Sequence, residues 1–113
     1  MAHVLVVDDE KSIRLTLSAF LEGDGHVVST AANGEEAIGL LGSENVDVVV
    51  SDLLMPGIGG LEVLRAARER NPHTQIILIT GQPTLDSASG AIRLRAFDYL
   101  DKPIPKDTRS EER

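Results

Sequence analysis

Short apolar runs recur along the chain and predict the strands of a buried sheet. They are rich in Val and Ile and too short for helices, and the three densest predict strands that are buried on both faces. Those three are Val4–Val7, Val46–Val50, which Asp47 interrupts, and Ile76–Ile79. Two weaker runs, Val27–Val28 with nearby Ala31–Ala32 and Phe97–Leu100, complete a set of five predicted strands.

Between these runs, apolar residues recur with the period of an α-helix. Ile13, Leu17, Phe20 and Leu21 lie at i, i+4, i+7 and i+8, which makes one stripe of a helix that ends near Gly23. Three later segments show the same period: Ala37, Leu40 and Leu41; Leu61, Leu64 and Ala67; and Leu85, Ala88 and Ile92. This alternation predicts repeated βαβ units, and therefore a parallel sheet with helices on both faces and right-handed crossovers.

The last residues differ in composition from the rest of the chain. Residues 106–113 are polar and mostly charged, and they cannot form an amphipathic helix. We therefore predict one domain over residues 1–105 and a charged tail over 106–113, which is either a truncated helix or a linker. The fifth helix that usually accompanies five such strands is then missing or truncated. Apolar surface exposed in this way would favour a homodimer.

Composition excludes several classes of function. Hydrophobic residues make up 42% of the 113 residues and charged residues 26%, which is typical of one globular domain. A net charge of −7 argues against direct nucleic-acid binding, which needs a basic surface. Cysteine is absent, which excludes disulfides, Cys-ligated zinc and thiol catalysis. No run has the length of a membrane span and no secretory leader precedes Val4, so we expect a cytoplasmic protein without membrane contact.

Polar residues of particular types stand at the ends of four predicted strands. In a flavodoxin-like, doubly wound five-stranded parallel α/β sheet of order 2-1-3-4-5, the first, third, fourth and fifth strands are neighbours. Ligands of such sheets bind at the carboxyl ends of the strands. We therefore expect the polar residues at these ends to converge. They are Asp8 and Asp9, Asp52, Thr80, and Lys102.

The charges of these residues suit a divalent cation. Three carboxylates and one ammonium group carry a combined charge of −2, and crowded carboxylates repel one another unless a cation intervenes. Mg²⁺ fits a site with few protein ligands better than Ca²⁺ does. An aspartate beside Mg²⁺, a hydroxyl and a lysine is an inventory suited to phosphoryl transfer, with the carboxylate as nucleophile.

Four motifs, in order and with matching spacing, resemble the receiver domain of bacterial two-component response regulators. They are Val4–Glu10 (VLVVDDE), Ser51–Gly57 (SDLLMPG), Thr80-Gly81 (TG) and Phe97–Pro103 (FDYLDKP). The resemblance covers residues 3 to about 105. It implies a phosphorylation-activated signalling switch that accepts a phosphoryl group from a sensor histidine kinase and controls an output domain or downstream protein. Its own chemistry would be self-phosphorylation and autodephosphorylation, and not turnover of a metabolite.

The resemblance also implies roles for the acidic residues. Asp52 would be the phosphoacceptor. Asp9, Asp52 and the backbone carbonyl of Leu54 would ligate Mg²⁺ directly, and Asp8 would reach the ion through water. Mn²⁺ would be able to replace Mg²⁺ at this site.

The remaining site residues would bind the phosphoryl group and transmit its arrival. Lys102 would pair with the phosphoryl oxygens, and the small Gly81 would leave room for them. Thr80 would turn its hydroxyl toward the new phosphoryl group, and Tyr99 would follow from an exposed to a buried position. Partner binding would change at the face formed by the fourth helix and the fifth strand, because the acquired charge biases a bistable element.

Other functions fit the residues less well. Phosphohydrolases of the haloacid dehalogenase type carry the nucleophile in an Asp-x-Asp motif on the first strand and have a cap domain, whereas this chain has Asp8–Glu10 there. In a flavin-binding protein those three acids would repel the flavin phosphate. A receiver that no longer accepts phosphate would not be expected to keep Asp9, Asp52, Thr80 and Lys102 together.

Taken singly, several of these residues have simpler explanations. The run Asp8–Glu10 can be acids at a helix N-terminus, which the helix dipole favours. Asp52 can be a turn residue, and Tyr99 can be a static core aromatic. The glycine-rich stretch Gly57–Gly60 follows no phosphate-binding pattern and predicts the start of the third helix.

Overall fold

The computed structural model describes residues 2–80 and 98–101, with side chains over residues 2–79. Strands and helices alternate along these residues, as the apolar pattern predicts. In chain order they are β1 His3–Val7, α1 Lys11–Gly23, β2 Val27–Ala31, α2 Gly34–Ser43, β3 Val48–Asp52, α3 Gly60–Arg70, β4 Gln75–Thr80 and β5 Asp98–Asp101. The predicted helix over Leu85–Ile92 and the charged tail 106–113 lie outside the described residues.

The described strands form one parallel sheet in the order β2-β1-β3-β4-β5. This confirms the predicted flavodoxin-like order. The register brings the carboxyl ends of neighbouring strands to similar heights, since Val7 pairs with Ser51, Asp52 with Ile79, and Thr80 with Asp101.

The two faces of the sheet bury different sets of side chains, because successive residues of a strand point in opposite directions. On one face Leu5 and Val7 of β1 share a large core cluster with residues of α2 and α3, among them Leu41 and Leu64. On the other face Val4, Val6, Val50 and Ile79 form a smaller cluster, against which Leu17 and Leu21 of α1 pack. Helices therefore cover both faces, as predicted.

Helix α1 follows its predicted bounds but not its predicted burial. It ends at Gly23, where the apolar stripe predicted its end. No residue of α1 is fully buried, and Phe20, a member of the predicted stripe, is 41% exposed. Leu17 and Leu21 lie one turn apart and make the packing contacts of this helix with the sheet. The apolar stripe therefore predicted the position of α1, but only some residues of the stripe face the sheet.

Strand β3 begins at Val48, two residues later than the apolar run that predicted it. Asp47, which interrupts that run, donates its backbone N–H to His3 O at 2.8 Å and accepts the His3 N–H on Oδ2 at 2.9 Å. It also accepts a bond from Gln75 N at 3.0 Å. A charged residue in an apolar run is thereby explained, because Asp47 joins β1, β3 and β4 at their amino ends.

The glycine-rich stretch after β3 opens α3, as predicted. Gly59 is the N-cap residue and Gly60 is the first residue of the helix. Gly57 has φ of +77°, a left-handed conformation that glycine adopts without strain, and so forms the turn of the connecting loop. Among the described residues, no helix is long and apolar enough to cross a membrane.

Candidate metal centre at the carboxyl end of the sheet

Three carboxylates converge where β1 and β3 end. One side-chain oxygen from each of Asp8, Asp9 and Asp52 lies within 4.8 Å of the other two. Asp52 is far from Asp8 and Asp9 in the sequence, and the neighbouring positions of β1 and β3 bring it to them. The structure thus brings these three predicted residues together, and their roles stay predictions.

Asp8 and Asp52 are held in place by the backbone around them. Asp8 follows β1, donates its N–H to Ala31 O at 3.1 Å, and accepts the Glu10 N–H on Oδ1 at 2.9 Å. This second bond is an Asx turn, which leads the chain into α1. Asp52 is the last residue of β3 and is 5% exposed, while Asp8 is 1% exposed. Asp9 is exposed, so the cluster is open to solvent on one side.

The loop that leaves β3 begins against the cluster. The Leu54 N–H donates to Asp52 Oδ1 at 3.3 Å, which places the backbone of Leu54 directly beside the proposed phosphoacceptor. Leu53 N donates to Ile79 O at 2.8 Å, and Gly60 N donates to Leu53 O at 2.8 Å. These bonds close the base of the loop, while the Leu54 side chain is 55% exposed.

Arg14 contributes a positive charge that the sequence did not single out. Its Nη1 donates to the backbone carbonyl of Asp8 at 2.7 Å, from the first turns of α1. The guanidinium therefore binds the backbone at Asp8, where β1 leads into α1. A basic residue one helical turn after Glu10 was the available signal, but such residues are common on exposed helix faces.

Thr80 stands where the sequence predicted, as far as its backbone shows. It is the last residue of β4, one position beyond Ile79, which pairs with Asp52. The side chains of Thr80 and Tyr99, and all of Gly81 and Lys102, lie outside the described part of the chain. Tyr99 is placed on β5 by its backbone, opposite Leu78. The roles of these four residues stay predictions.

The cluster fits a hard divalent cation. Its donors are carboxylate oxygens, which such cations prefer, and they are close enough together for one ion to contact several of them. Two of the three carboxylates are buried, where like charges cost more free energy than in water. A divalent cation would remove that cost, so the donor chemistry and the charge agree.

Comparison with known proteins relates this geometry to one family. The family model described as "Response regulator receiver domain" matches residues 4–111. The DNA-binding transcriptional regulator NtrC of Salmonella typhimurium is 42% identical over 104 residues. That alignment covers 92% of this chain and 22% of the relative, so the chain spans about a fifth of the length of the curated relatives it matches.

Solved structures share the fold with high similarity. The response regulator TrrA of Thermotoga maritima, in complex with Mg(2+)-BeF, has a TM-score of 0.84 and 38% identity, with 99% of this chain and 96% of that chain covered. A response regulator of Burkholderia pseudomallei, with a phosphorylated aspartic acid, calcium ion and citrate, has a TM-score of 0.87 and 29% identity, with 97% and 65% covered.

Proposed function

The chain belongs to the family of response regulator receiver domains, and we propose that it is a phosphorylation-activated switch whose phosphoacceptor is Asp52. One observation carries the assignment of the residue. Asp52 is the last residue of β3, the middle strand of the sheet, and one of its oxygens lies within 4.8 Å of oxygens of Asp8 and Asp9. The phosphorylated aspartic acid of the Burkholderia relative supports the same chemistry.

The cation of the site is Mg²⁺ in this proposal, with Mn²⁺ as a replacement. Asp9, Asp52 and the carbonyl of Leu54 would hold it directly, and Asp8 would hold it through water. The hydrogen bond from Leu54 N to Asp52 Oδ1 supports this set, because it keeps the Leu54 backbone beside the carboxylates. When bound, the cation neutralises negative charge on the oxygens of the transferring phosphoryl group.

The residues of the chain position the group that is transferred. An oxygen of Asp52 forms a bond to phosphorus while the P–N bond of a phosphohistidine on the sensor kinase breaks, and the imidazole leaves with that electron pair. Lys102 would neutralise a phosphoryl oxygen, and Gly81 would leave space for it. Loss of the phosphoryl group to water would return the switch to its first state, without turnover of any metabolite.

The proposed switch depends on the negative charge that phosphorylation of Asp52 would add to the site. A phosphoryl group adds negative charge and acceptor oxygens, and these would draw the Thr80 hydroxyl toward Asp52. Tyr99 on the neighbouring strand β5 would then become buried. The face of the fourth helix and β5 would carry this change to an output domain or a downstream protein.

The wider setting of the domain is also part of the proposal. In this proposal, residues 1–105 would form the receiver, and residues 106–113 would be a charged tail or linker. The kinase and output partners follow from family membership, and a homodimer is a further expectation. We place the protein in the cytoplasm, where a kinase's phosphohistidine would be accessible to it.

Intact-mass measurement after incubation with acetyl phosphate tests this function. Wild type should gain one phosphoryl adduct with Mg²⁺ and none with EDTA, whereas Asp52→Asn should gain none in either condition. Asp47→Asn is the matched control, since Asp47 lies at the opposite end of the sheet and Asn keeps an acceptor for the His3 N–H. It should be phosphorylated like wild type.

Two results would contradict the proposal. An adduct that persists in Asp52→Asn would assign the phosphoacceptor to another residue. Absence of an adduct in wild type that is folded and binds Mg²⁺ would show that the cluster is a cation site without phosphoacceptor activity.

A further inference from the structure

The first residue of α2 lies against the loop that carries Leu54. A Cβ placed on Gly34 would stand 2.5 Å from Ile58 O, 2.7 Å from Ile58 Cγ2 and 2.8 Å from Ile58 Cβ. Ordinary van der Waals contacts of a Cβ are 3.4–4 Å, so only glycine fits here without movement. One of the three contacts is with the backbone, which a change of rotamer cannot relieve.

Helix α2 is held firmly on its side of this contact. The Asn33 side chain accepts the Glu36 N–H at 2.8 Å, and the Glu36 side chain accepts the Ala32 N–H at 2.7 Å, which together cap the helix. One turn further, Ala37 is fully buried in the larger core cluster. The N-terminus of α2 therefore has little freedom to withdraw from Ile58.

The loop is fixed at its base but has space along its middle. Gly60 is pressed against β3, since a Cβ there would stand 2.6 Å from Asp52 O, and its N–H bonds to Leu53 O. Between the base and Ile58, the loop borders a cleft of about 290 Å³ that extends to Leu61 and Glu62 of α3. Ile58 itself packs against the larger core cluster, so we expect a group that pushed on it to shift the loop residues that border this cleft.

We propose that Gly34 is a positioning residue for the divalent cation: its lack of a side chain lets α2 support the loop of residues 53–59 in the conformation that presents the Leu54 carbonyl. This inference rests on the proposed function, in which Leu54 is a ligand. Gly34 touches neither the cation nor the phosphoryl group and acts through Ile58.

The two alkaline-earth cations provide a readout that a simple loss of stability would not produce. Mg²⁺ requires near-ideal octahedral geometry at about 2.0–2.1 Å, whereas Ca²⁺ tolerates varied geometry at about 2.3–2.6 Å. A displaced carbonyl should therefore weaken Mg²⁺ binding more than Ca²⁺ binding. Partial unfolding would weaken both equally.

The test compares Gly34→Ala with Gly39→Ala in the same helix. At Gly39 an added Cβ meets nothing within 4 Å, so this variant repeats the chemical change without the contact. Mg²⁺ and Ca²⁺ affinities are measured by titration of amide chemical shifts, and folding by the same spectra. Gly34→Ala should weaken Mg²⁺ binding about tenfold and Ca²⁺ binding by less than about threefold, while Gly39→Ala leaves both within about twofold.

Ile58→Ala is the second variant, and it tests the inference if Gly34→Ala does not fold. It removes Cγ2 of Ile58 from the contact with Gly34 and adds no volume, so α2 supports the loop less. It should also weaken Mg²⁺ binding more than Ca²⁺ binding. Equal Mg²⁺ affinity in wild type and in a folded Gly34→Ala, or in Ile58→Ala, would overturn the inference, as would equal losses for both cations. Failure of wild type to bind either cation would instead contradict the proposed function.

Discussion

The two ends of the sheet each gather acidic side chains, but the surroundings of these side chains differ. At the carboxyl end, three aspartates share one cluster, and Arg14 binds the backbone carbonyl of one of them, Asp8. At the amino end, Asp47 and Glu44 meet donors: Asp47 accepts the His3 N–H, and Glu44 accepts from Ser29 Oγ at 2.9 Å and contacts His3 Nε2 at 3.2 Å.

The amino end is organised around the His3 ring. Nδ1 lies 2.9 Å from Asn45 O, which can only accept, so Nδ1 carries a proton. Nε2 lies 2.8 Å from Ser29 Oγ and close to Glu44. These contacts join β1, β2 and the connection after α2.

The difference teaches how to distinguish a structural polar cluster from a functional one. A cluster whose donors match its acceptors gains stability by itself, whereas a cluster of like charges is completed by an external group of opposite charge. By this criterion, we expect the amino-end contacts to stabilise the fold and the carboxyl-end carboxylates to suit a cation. Four predictions, from the largest effect to the smallest, test that separation.

The largest expected effect is the loss of cation binding on removal of one ligand charge. Asp9→Asn should weaken Mg²⁺ binding on the order of 100-fold, because it replaces a charged ligand with a neutral one. The change is isosteric and Asp9 is exposed, so the fold should survive. Titration of amide shifts measures the affinity, and Asp47→Asn should stay within about twofold of wild type. Similar losses in both variants would remove the distinction between the ends.

The second prediction concerns the stability that the cation confers. Mg²⁺ at about 100 times its dissociation constant should raise the free energy of unfolding of wild type by about 2.7 kcal/mol, because it binds the folded state only. Urea denaturation with Mg²⁺ and with EDTA measures the difference. His3→Ala should show the same increment, whereas Asp9→Asn should show only about 0.4 kcal/mol at the same Mg²⁺ concentration, because a 100-fold weaker site is half occupied there. The full increment retained in Asp9→Asn would place the cation elsewhere.

The third prediction breaks the amino-end group. His3→Ala should lower the free energy of unfolding by about 1–2 kcal/mol, because it removes contacts to Asn45 and Ser29 and leaves partly buried polar groups. Urea denaturation in EDTA measures this change without a contribution from cation binding. His73→Ala, at an exposed position, is the control and should change stability by less than about 0.5 kcal/mol. Equal effects of the two substitutions would show that the contacts of His3 do not stabilise the fold.

The smallest expected effect is that of the Glu44 charge. Glu44→Gln keeps an acceptor for Ser29 Oγ and removes only the charge opposite His3, in a pair whose side chains are 23% and 34% exposed. It should cost no more than about 0.5 kcal/mol, and less at high salt. Denaturation at low and high NaCl measures both values. A cost as large as that of His3→Ala would show that the charge, and not the hydrogen-bond geometry, stabilises this end.

The helices and strands could be predicted closely because their signals are local. The run Val4–Val7 predicted a strand buried on both faces, and all four residues are buried. The end of α1 near Gly23 followed from one apolar stripe. The same stripe could not show that Phe20 would be 41% exposed, because periodicity records which residues share a face and not how much of that face a sheet covers.

The candidate site was predictable where it depends on strand order. Asp8, Asp9 and Asp52 were expected together because parallel strands end at one edge, and they lie together. Arg14 was not predicted, because its bond to the Asp8 carbonyl depends on the angle at which α1 leaves β1. In the sequence Asp47 only interrupts an apolar run, and its hydrogen bonds to His3 and Gln75 show that it joins neighbouring strands.

The amino-acid sequence by itself determined the succession of elements and the residue types at the strand ends, since these follow from periodicity, turn residues and chemical type. Tertiary structure alone decided which carboxylates stand among hydrogen-bond donors and which lie close to one another, and why Gly34 must lack a side chain. The physical reason is that charge balance and steric clearance depend on distances between atoms far apart in the chain. The approach of α2 to Ile58 is such a distance, and no pattern within either segment encodes it.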